Sequence, residues 1–209
     1  MLTLSKGVVG LKILLIGYTG LLGSVLKKEL EKKHKVIGAS RHNADVEVDI
    51  TDTESIKQMY KEVGKVDAVI SATGAAHFGP LNEMTPELND ISIDSKLKGQ
   101  VNLVLLGMEY INDGGSFTLT TGVIMDCPIF EGASSALANG GVKAFAKSAA
   151  AEAPRGIRIN TVSPNVFEES PDQLKAYFPG FKPVPLKRVS LEYIKSVEGI
   201  QTGQSYEIY

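Results

Sequence analysis

Apolar positions along the chain fall into short runs separated by longer amphipathic stretches. KILLI (Lys12 to Ile16) is closed by Gly17 and has the pattern of a strand buried on both faces. In LLGSVLKKELEKK, Leu22, Val25, Leu26 and Leu30 share one helical face, with the charges opposite. KVIGA (Lys35 to Ala39), DVEVDI (Asp45 to Ile50), VDAVISA (Val66 to Ala72), SFTLTT (Ser116 to Thr121) and GIRINTVSP (Gly156 to Pro164) read as further strands. Between them, TDTE (Thr51 to Glu54) has the capping-box form and opens a helix reaching about Val63. Thr85-Pro86 opens a long helix with an apolar stripe from Leu88 to Met108. GASSALANGGVKAFAKSAA, residues 132 to 150, is helical after Ser134 and built largely of small residues.

Alternating β and α elements with strands apolar on both faces predict an α/β fold. The expected form is a doubly wound parallel sheet of Rossmann type, a single domain over residues 1–209. Ligands on such sheets bind beyond the carboxyl ends of the strands.

Composition narrows the function. The chain is 43% hydrophobic and 22% charged, with a net charge of −2, so electrostatics gives no case for a nucleic acid or an anionic membrane surface. No run of about 18 apolar residues spans a bilayer. The stretch from Lys6 loosely resembles a secretory leader, but Lys12 interrupts it, and no leader is expected. The lone Cys127 has no disulfide partner, which points to a reducing, cytoplasmic setting. No metal site is expected.

GYTGLLG places Gly17, Gly20 and Gly23 between the first strand and the first helix. Such glycines close ordinary turns, or they let backbone approach a pyrophosphate held by a helix N-terminus. The second strand ends in GASRHN, without the carboxylate that usually holds an NAD ribose. Arg41 is then either a solvated surface residue or a clamp for a 2′-phosphate, and NADP is expected over NAD.

Here the chain resembles the short-chain dehydrogenase/reductase family. GYTGLLG is similar to its cofactor loop in the GxxGxxG spacing, VDITD (Val48 to Asp52) to its acidic segment, SATG (Ser71 to Gly74) to its NNAG, and APRGIRINTVSPN (Ala153 to Asn165) to its sixth strand. The resemblance implies cofactor contacts at Gly17, Thr19, Gly20, Leu22, Gly23, Ser40, Arg41, Asp49, Ile50, Ala72, Thr73, Gly74 and Pro164, with Asp49 meeting the adenine. It also implies a homo-oligomer (dimer or tetramer), a small-molecule carbonyl or alcohol as substrate, and a short C-terminal lid over residues 165–200.

The family's catalytic set does not carry over intact. Its serine position falls on Thr121, with Thr120 adjacent; its tyrosine position on Ser135; its lysine position on Asn139; and its asparagine position on Lys96. No tyrosine in the chain is followed four residues later by lysine. Lysine and asparagine have in effect changed places. A serine hydroxyl is a far weaker acid than a phenol, so the proton would come from His77, from Lys96 or through water, with Thr121 and Ser135 orienting the substrate oxygen. Tyr177 is a further candidate, in the proline- and aromatic-rich segment SPDQLKAYFPGFKPVP. Two functions stay open. One is an NADP-dependent oxidoreductase; the other is a catalytically degenerate NADP-binding sensor or partner-binding protein. The small residues of 132–150 imply close packing on a cofactor, the sheet or a second subunit. Without it, Gly140 and Gly141 would each cost about 1 kcal/mol of helix propensity.

Overall fold

The computed structural model describes residues 10–209, so Lys6 and most of the stretch weighed as a leader lie outside it. Seven strands form one sheet: β1 (Lys12–Ile16), β2 (Lys35–Ser40), β3 (Val46–Glu47), β4 (Val66–Ser71), β5 (Ile111–Thr120), β6 (Arg158–Pro164) and β7 (Ser205–Ile208). Their order is β3-β2-β1-β4-β5-β6-β7, and every pairing is parallel. The fold is the expected doubly wound α/β sheet in a single domain.

Strand alternation builds two cores. Leu14 and Ile16 of β1 face α2 (Thr53–Val63), α4 (Gln100–Gly107) and α5 (Ala133–Glu152), in a layer with Tyr60, Leu103 and Val142. Ile13 and Leu15 face the other way, onto α1 (Leu21–Leu30) and α7 (Leu186–Glu198), with Leu26, Val189 and Tyr193. All of these side chains are buried to 1% exposure or less. The period-2 geometry of a strand sends neighbouring residues to opposite faces.

Several boundaries differ from the sequence expectation for local reasons. Only Val46 and Glu47 of DVEVDI pair with β2. The following aspartates capture backbone instead: Asp49 accepts from Thr51 N–H, and Asp52 caps α2 by accepting from Glu54 N–H. The cap is therefore Asp52, one residue after the expected Thr51. β5 starts five residues earlier than SFTLTT, across Asn112, Asp113 and two glycines that hide it in the sequence. Thr85 and Pro86 open α3 (Pro86–Ser92) as expected, but residues Ile93–Gly99 then widen into a π-helical stretch before α4. The expected lid, 165–200, divides. Residues 165–185 are mostly irregular around the short α6 (Asp172–Lys175), whereas Leu186–Glu198 is a core helix. Leu186, Val189, Tyr193 and Val197 bury one face of that helix against the sheet, so its residues are structural rather than part of a cover.

Gly141 has its compensation: a Cβ there would come within 2.8 Å of Leu97 Cδ1, so the small residue admits the π-helical stretch. Gly140 meets nothing within 4 Å.

Candidate functional site

The strand order locates the site. From β1 the chain winds outward through β2 and β3, then returns to β4 on the other side of β1. The crevice at this switch lies beyond Ile16 and Ser71, where GYTGLLG and SATG leave the sheet. Two cavities open there, of about 650 Å³ and 370 Å³, and they share Ala72 and Thr73.

Gly17, Thr19, Gly20, Ser40, Arg41, Asp49 and Ile50 line the larger cavity. The N-terminus of α1 points at this cleft from Gly20, which provides no side-chain cap. The first turn of α1 holds no acidic residue and its last turn holds Lys27 and Lys28, a charge distribution suited to an anion at the front. Gly23 lines neither cavity. It sits beneath the loop, where a Cβ would lie 2.1 Å from the Gly17 carbonyl oxygen. The hydroxyls of Thr19 and Ser40 are 2.9 Å apart, and the exposed Arg41 follows Ser40. Hydrogen bonds from the Thr51 backbone and hydroxyl hold the Asp49 carboxyl below its usual pKa; the Arg41 charge adds to this.

The smaller cavity gathers Thr121, Ser135, Asn139 and Lys96, with Leu22, Gly74 and Pro164 also in its wall. Residues from just after β5, from α5 and from the π-helical stretch thus meet. Phe78, Phe167, Leu174 and Phe178 supply an apolar roof. Thr121 and Ser135 are each 3% exposed, and Thr121 Oγ1 donates to the Val162 carbonyl at 3.3 Å. Asn139 Oδ1 is buried without a hydrogen-bond partner among the described residues. A buried acceptor of this kind calls for a donor.

Lys96 is partly buried, and its stem presses under Gly74. A Cβ on Gly74 would meet Lys96 Cγ at 3.0 Å, and the φ of +127° at that position independently favours glycine. Loss of solvation draws the Lys96 ammonium down to a pKa of about 8. Gln100 fixes this region to the sheet. Its amide group donates to the Thr120 carbonyl at 2.8 Å and accepts from Thr120 N–H at 2.8 Å. It also donates to the Lys96 carbonyl at 3.1 Å. Thr120 Oγ1 in turn bonds the Ser71 carbonyl and the hydroxyl of Tyr193.

His77 lines neither cavity. Its N–H donates to Ser92 Oγ at 2.8 Å, and its ring folds back so that a Cβ on Gly79 would lie 2.8 Å from Nε2. Tyr177 packs at the rim against Phe78, ring centroids 5.7 Å apart and planes tilted by 47°, and also lines neither cavity. The sequence reading missed Gln100, Asn165 and Ser170, as well as the carboxylates Glu87, Asp90 and Asp94 along the larger cavity. A glutamine on an apolar helical stripe was the available signal for Gln100; the others have none in local pattern. Among the described residues there is no cluster of three metal-ligating side chains, and no helix is long and apolar enough to cross a membrane.

Uncapped amides, a hydroxyl pair beside a guanidinium, and an orphaned acceptor in a cavity of this combined size fit a dinucleotide. The comparisons agree. A family model described as enoyl-(acyl carrier protein) reductase matches residues 18–184. Among solved structures, the protein lin1944 from Listeria innocua is 63% identical, with a TM-score of 0.94 over 96% of this chain and all of that one. A small-chain dehydrogenase is 25% identical, with a TM-score of 0.82 over 95% of this chain and 96% of the other. Another, solved in complex with NADPH, is 23% identical, with a TM-score of 0.84 over the same shares. No curated protein matches.

Proposed function

The chain belongs to the short-chain dehydrogenase/reductase family of oxidoreductases, and from that premise we propose that it is an NADP-dependent enzyme reducing a carbonyl, or oxidising an alcohol, of a small apolar molecule. One observation carries this reading: a phosphate-type cradle and a polar pocket under an apolar roof meet at Ala72 and Thr73. The α1 amides, Thr19, Ser40 and Arg41 would hold the diphosphate and the 2′-phosphate, and Asp49 and Ile50 the adenine side. When bound, the dinucleotide supplies or accepts a hydride.

The chain's own groups do the rest. Thr121 and Ser135 present hydroxyls that orient the substrate oxygen. Phe78, Phe167 and Phe178 exclude water, which strengthens every polar contact below them. Residues 165–185 act as the cover. The solved relative bearing NADPH supports the choice of cofactor. A homo-oligomer in a cytoplasmic setting completes the reading, with Leu105 and Leu137 more than half exposed on α4 and α5.

A second reading, dinucleotide binding without turnover, is favoured by one fact: no tyrosine lines the smaller cavity. Fluorescence titration of wild type and Arg41→Ala with NADPH and NADH tests the cofactor. Loss of a charged hydrogen-bond partner should weaken NADPH binding by roughly tenfold or more and leave NADH unchanged. Equal affinity for both cofactors in both proteins refutes the NADP assignment.

A further inference from the structure

We infer that Lys96 is the acid that protonates the substrate oxygen, in the role the absent tyrosine would otherwise fill. The inference rests on the oxidoreductase reading above and goes further by assigning the proton.

Elimination within the cavity comes first. Of the side chains lining the 370 Å³ cavity, Lys96 is the one that carries a titratable group; the polar others are threonine, serine and asparagine. His77 and Tyr177 stand outside it. Tyr193 is fully buried behind Thr120, and burial pushes its phenol well above the ordinary value. Cys127 is exposed and lines neither cavity.

Surroundings come second. The cavity that Lys96 lines is also walled by Ser135 and Asn139 of α5, Thr120 and Thr121 at the end of β5, Thr73 and Gly74 of the turn after β4, and Asn165 and Ser170 of the cover. None of these is charged. The nearest charges on its own helix, Asp94 and Lys98, pair with each other at 2.7 Å on the solvent side. Among the described residues no carboxylate lies within 4 Å of the Lys96 ammonium. An unpaired ammonium withdrawn from solvent gives up its proton more readily than one in water.

Positioning comes third. The π-helical stretch turns residues 93–99 out of α-helical register, and such stretches recur at functional sites. Gln100 ties the Lys96 carbonyl to the Thr120 backbone, next to Thr121. Gly74, lacking a Cβ, leaves the space that the lysine stem occupies.

The step balances. As the carbonyl carbon accepts hydride from a reduced nicotinamide dinucleotide, the carbonyl π pair moves to oxygen. That oxygen takes a proton from Lys96 Nζ, so one N–H bond breaks, one O–H bond forms, and an alcohol results. Lys96 is left as a neutral amine and recovers its proton from solvent. Oxidation runs the same path backwards.

Three measurements on the full chain test it. Competitive acetylation of lysines across pH, read by peptide mass spectrometry, should give Lys96 a midpoint near 8 while surface amines titrate near 10.5. NADPH fluorescence titration should give wild-type affinity in Lys96→Met and Lys96→Arg, with melting temperature confirming the fold of each. Reduction of 9,10-phenanthrenequinone and 4-nitrobenzaldehyde by NADPH should fall about 10²–10⁴-fold in kcat in both variants. Arginine keeps the charge but cannot shed a proton at working pH, so the pair separates an acid from a counter-charge. Near wild-type kcat in Lys96→Arg overturns the proposal, as does a Lys96 midpoint near that of surface amines. Wild type that binds NADPH yet turns over neither probe overturns the enzyme reading and this role together. Failure to bind NADPH overturns the cofactor reading first.

Discussion

Replacing Gly23 with alanine separates the packing of the cofactor loop from its contact with ligand. A Cβ at Gly23 would stand 2.1 Å from the Gly17 carbonyl oxygen, 2.7 Å from Tyr18 Cα and 2.8 Å from Gly17 C. All three are backbone atoms, so no rotamer change relieves the clash. The turn must retreat by about 1 Å from α1, an overpacking displacement that costs up to roughly 3 kcal/mol. Alanine returns about 1 kcal/mol of helix propensity. The net loss of about 2 kcal/mol lowers the melting temperature by roughly 4–8 °C for a domain of this size. NADPH should then give little further thermal shift, because the turn that presents the amides has moved. Gly20→Ala is the control. Its Cβ meets only the Gly17 oxygen, at 3.2 Å, and its φ of −74° suits any residue. That variant should melt within about 0.5 kcal/mol of wild type while losing NADPH affinity, since the methyl group occupies the approach to the loop. Thermal-shift melts of all three proteins with and without NADPH read both effects. A Gly23→Ala protein that melts like wild type and still shifts with NADPH refutes the reasoning.

Two further outcomes follow from buried groups. Gln100→Met keeps the volume but strands the Thr120 N–H and carbonyl, so it should cost about 2–4 kcal/mol, read by urea denaturation at pH 7; a loss below about 1 kcal/mol would show that Gln100 is not their essential partner. Lys96 also links stability to pH. Unfolded, it holds its proton to about 10.5, whereas folded it releases it near 8. Between those values the unfolded chain binds more protons, so this group's contribution to stability rises with pH. Wild type should therefore gain stability relative to Lys96→Met as pH goes from 8 to 10.5, by parallel denaturation curves; a constant difference would mean that the ammonium is not desolvated.

The sequence alone determined the sheet and the crevice at its switch point. KILLI and VDAVISA are largely apolar on both faces, as strands of a parallel sheet covered on both sides are; Gly17, Gly20 and Gly23 then mark the turn where its crevice opens. The resemblance to the family, not local pattern, implied that Thr121, Ser135, Asn139 and Lys96 form one group. Local pattern failed where polar side chains reach backbone: Asp49 and Asp52 ended β3 early, and Gly114 and Gly115 masked the start of β5. It also passed over α7, although Leu186, Val189, Tyr193 and Val197 form a helical stripe, because prolines and aromatics before it suggested a cover throughout. What only the tertiary structure decided is which candidate acid faces the cavity. His77 and Lys96 are both ionisable and both near the site in sequence. The ring of His77 folds onto Gly79, while Lys96, in the π-helical stretch, lines the cavity beside Gly74, with its carbonyl bonded by Gln100. The placement of Lys96 depends on Gly74 packing against Lys96 and on Gln100 bonding Thr120, contacts about twenty positions apart in the chain, a separation at which local periodicity carries no signal.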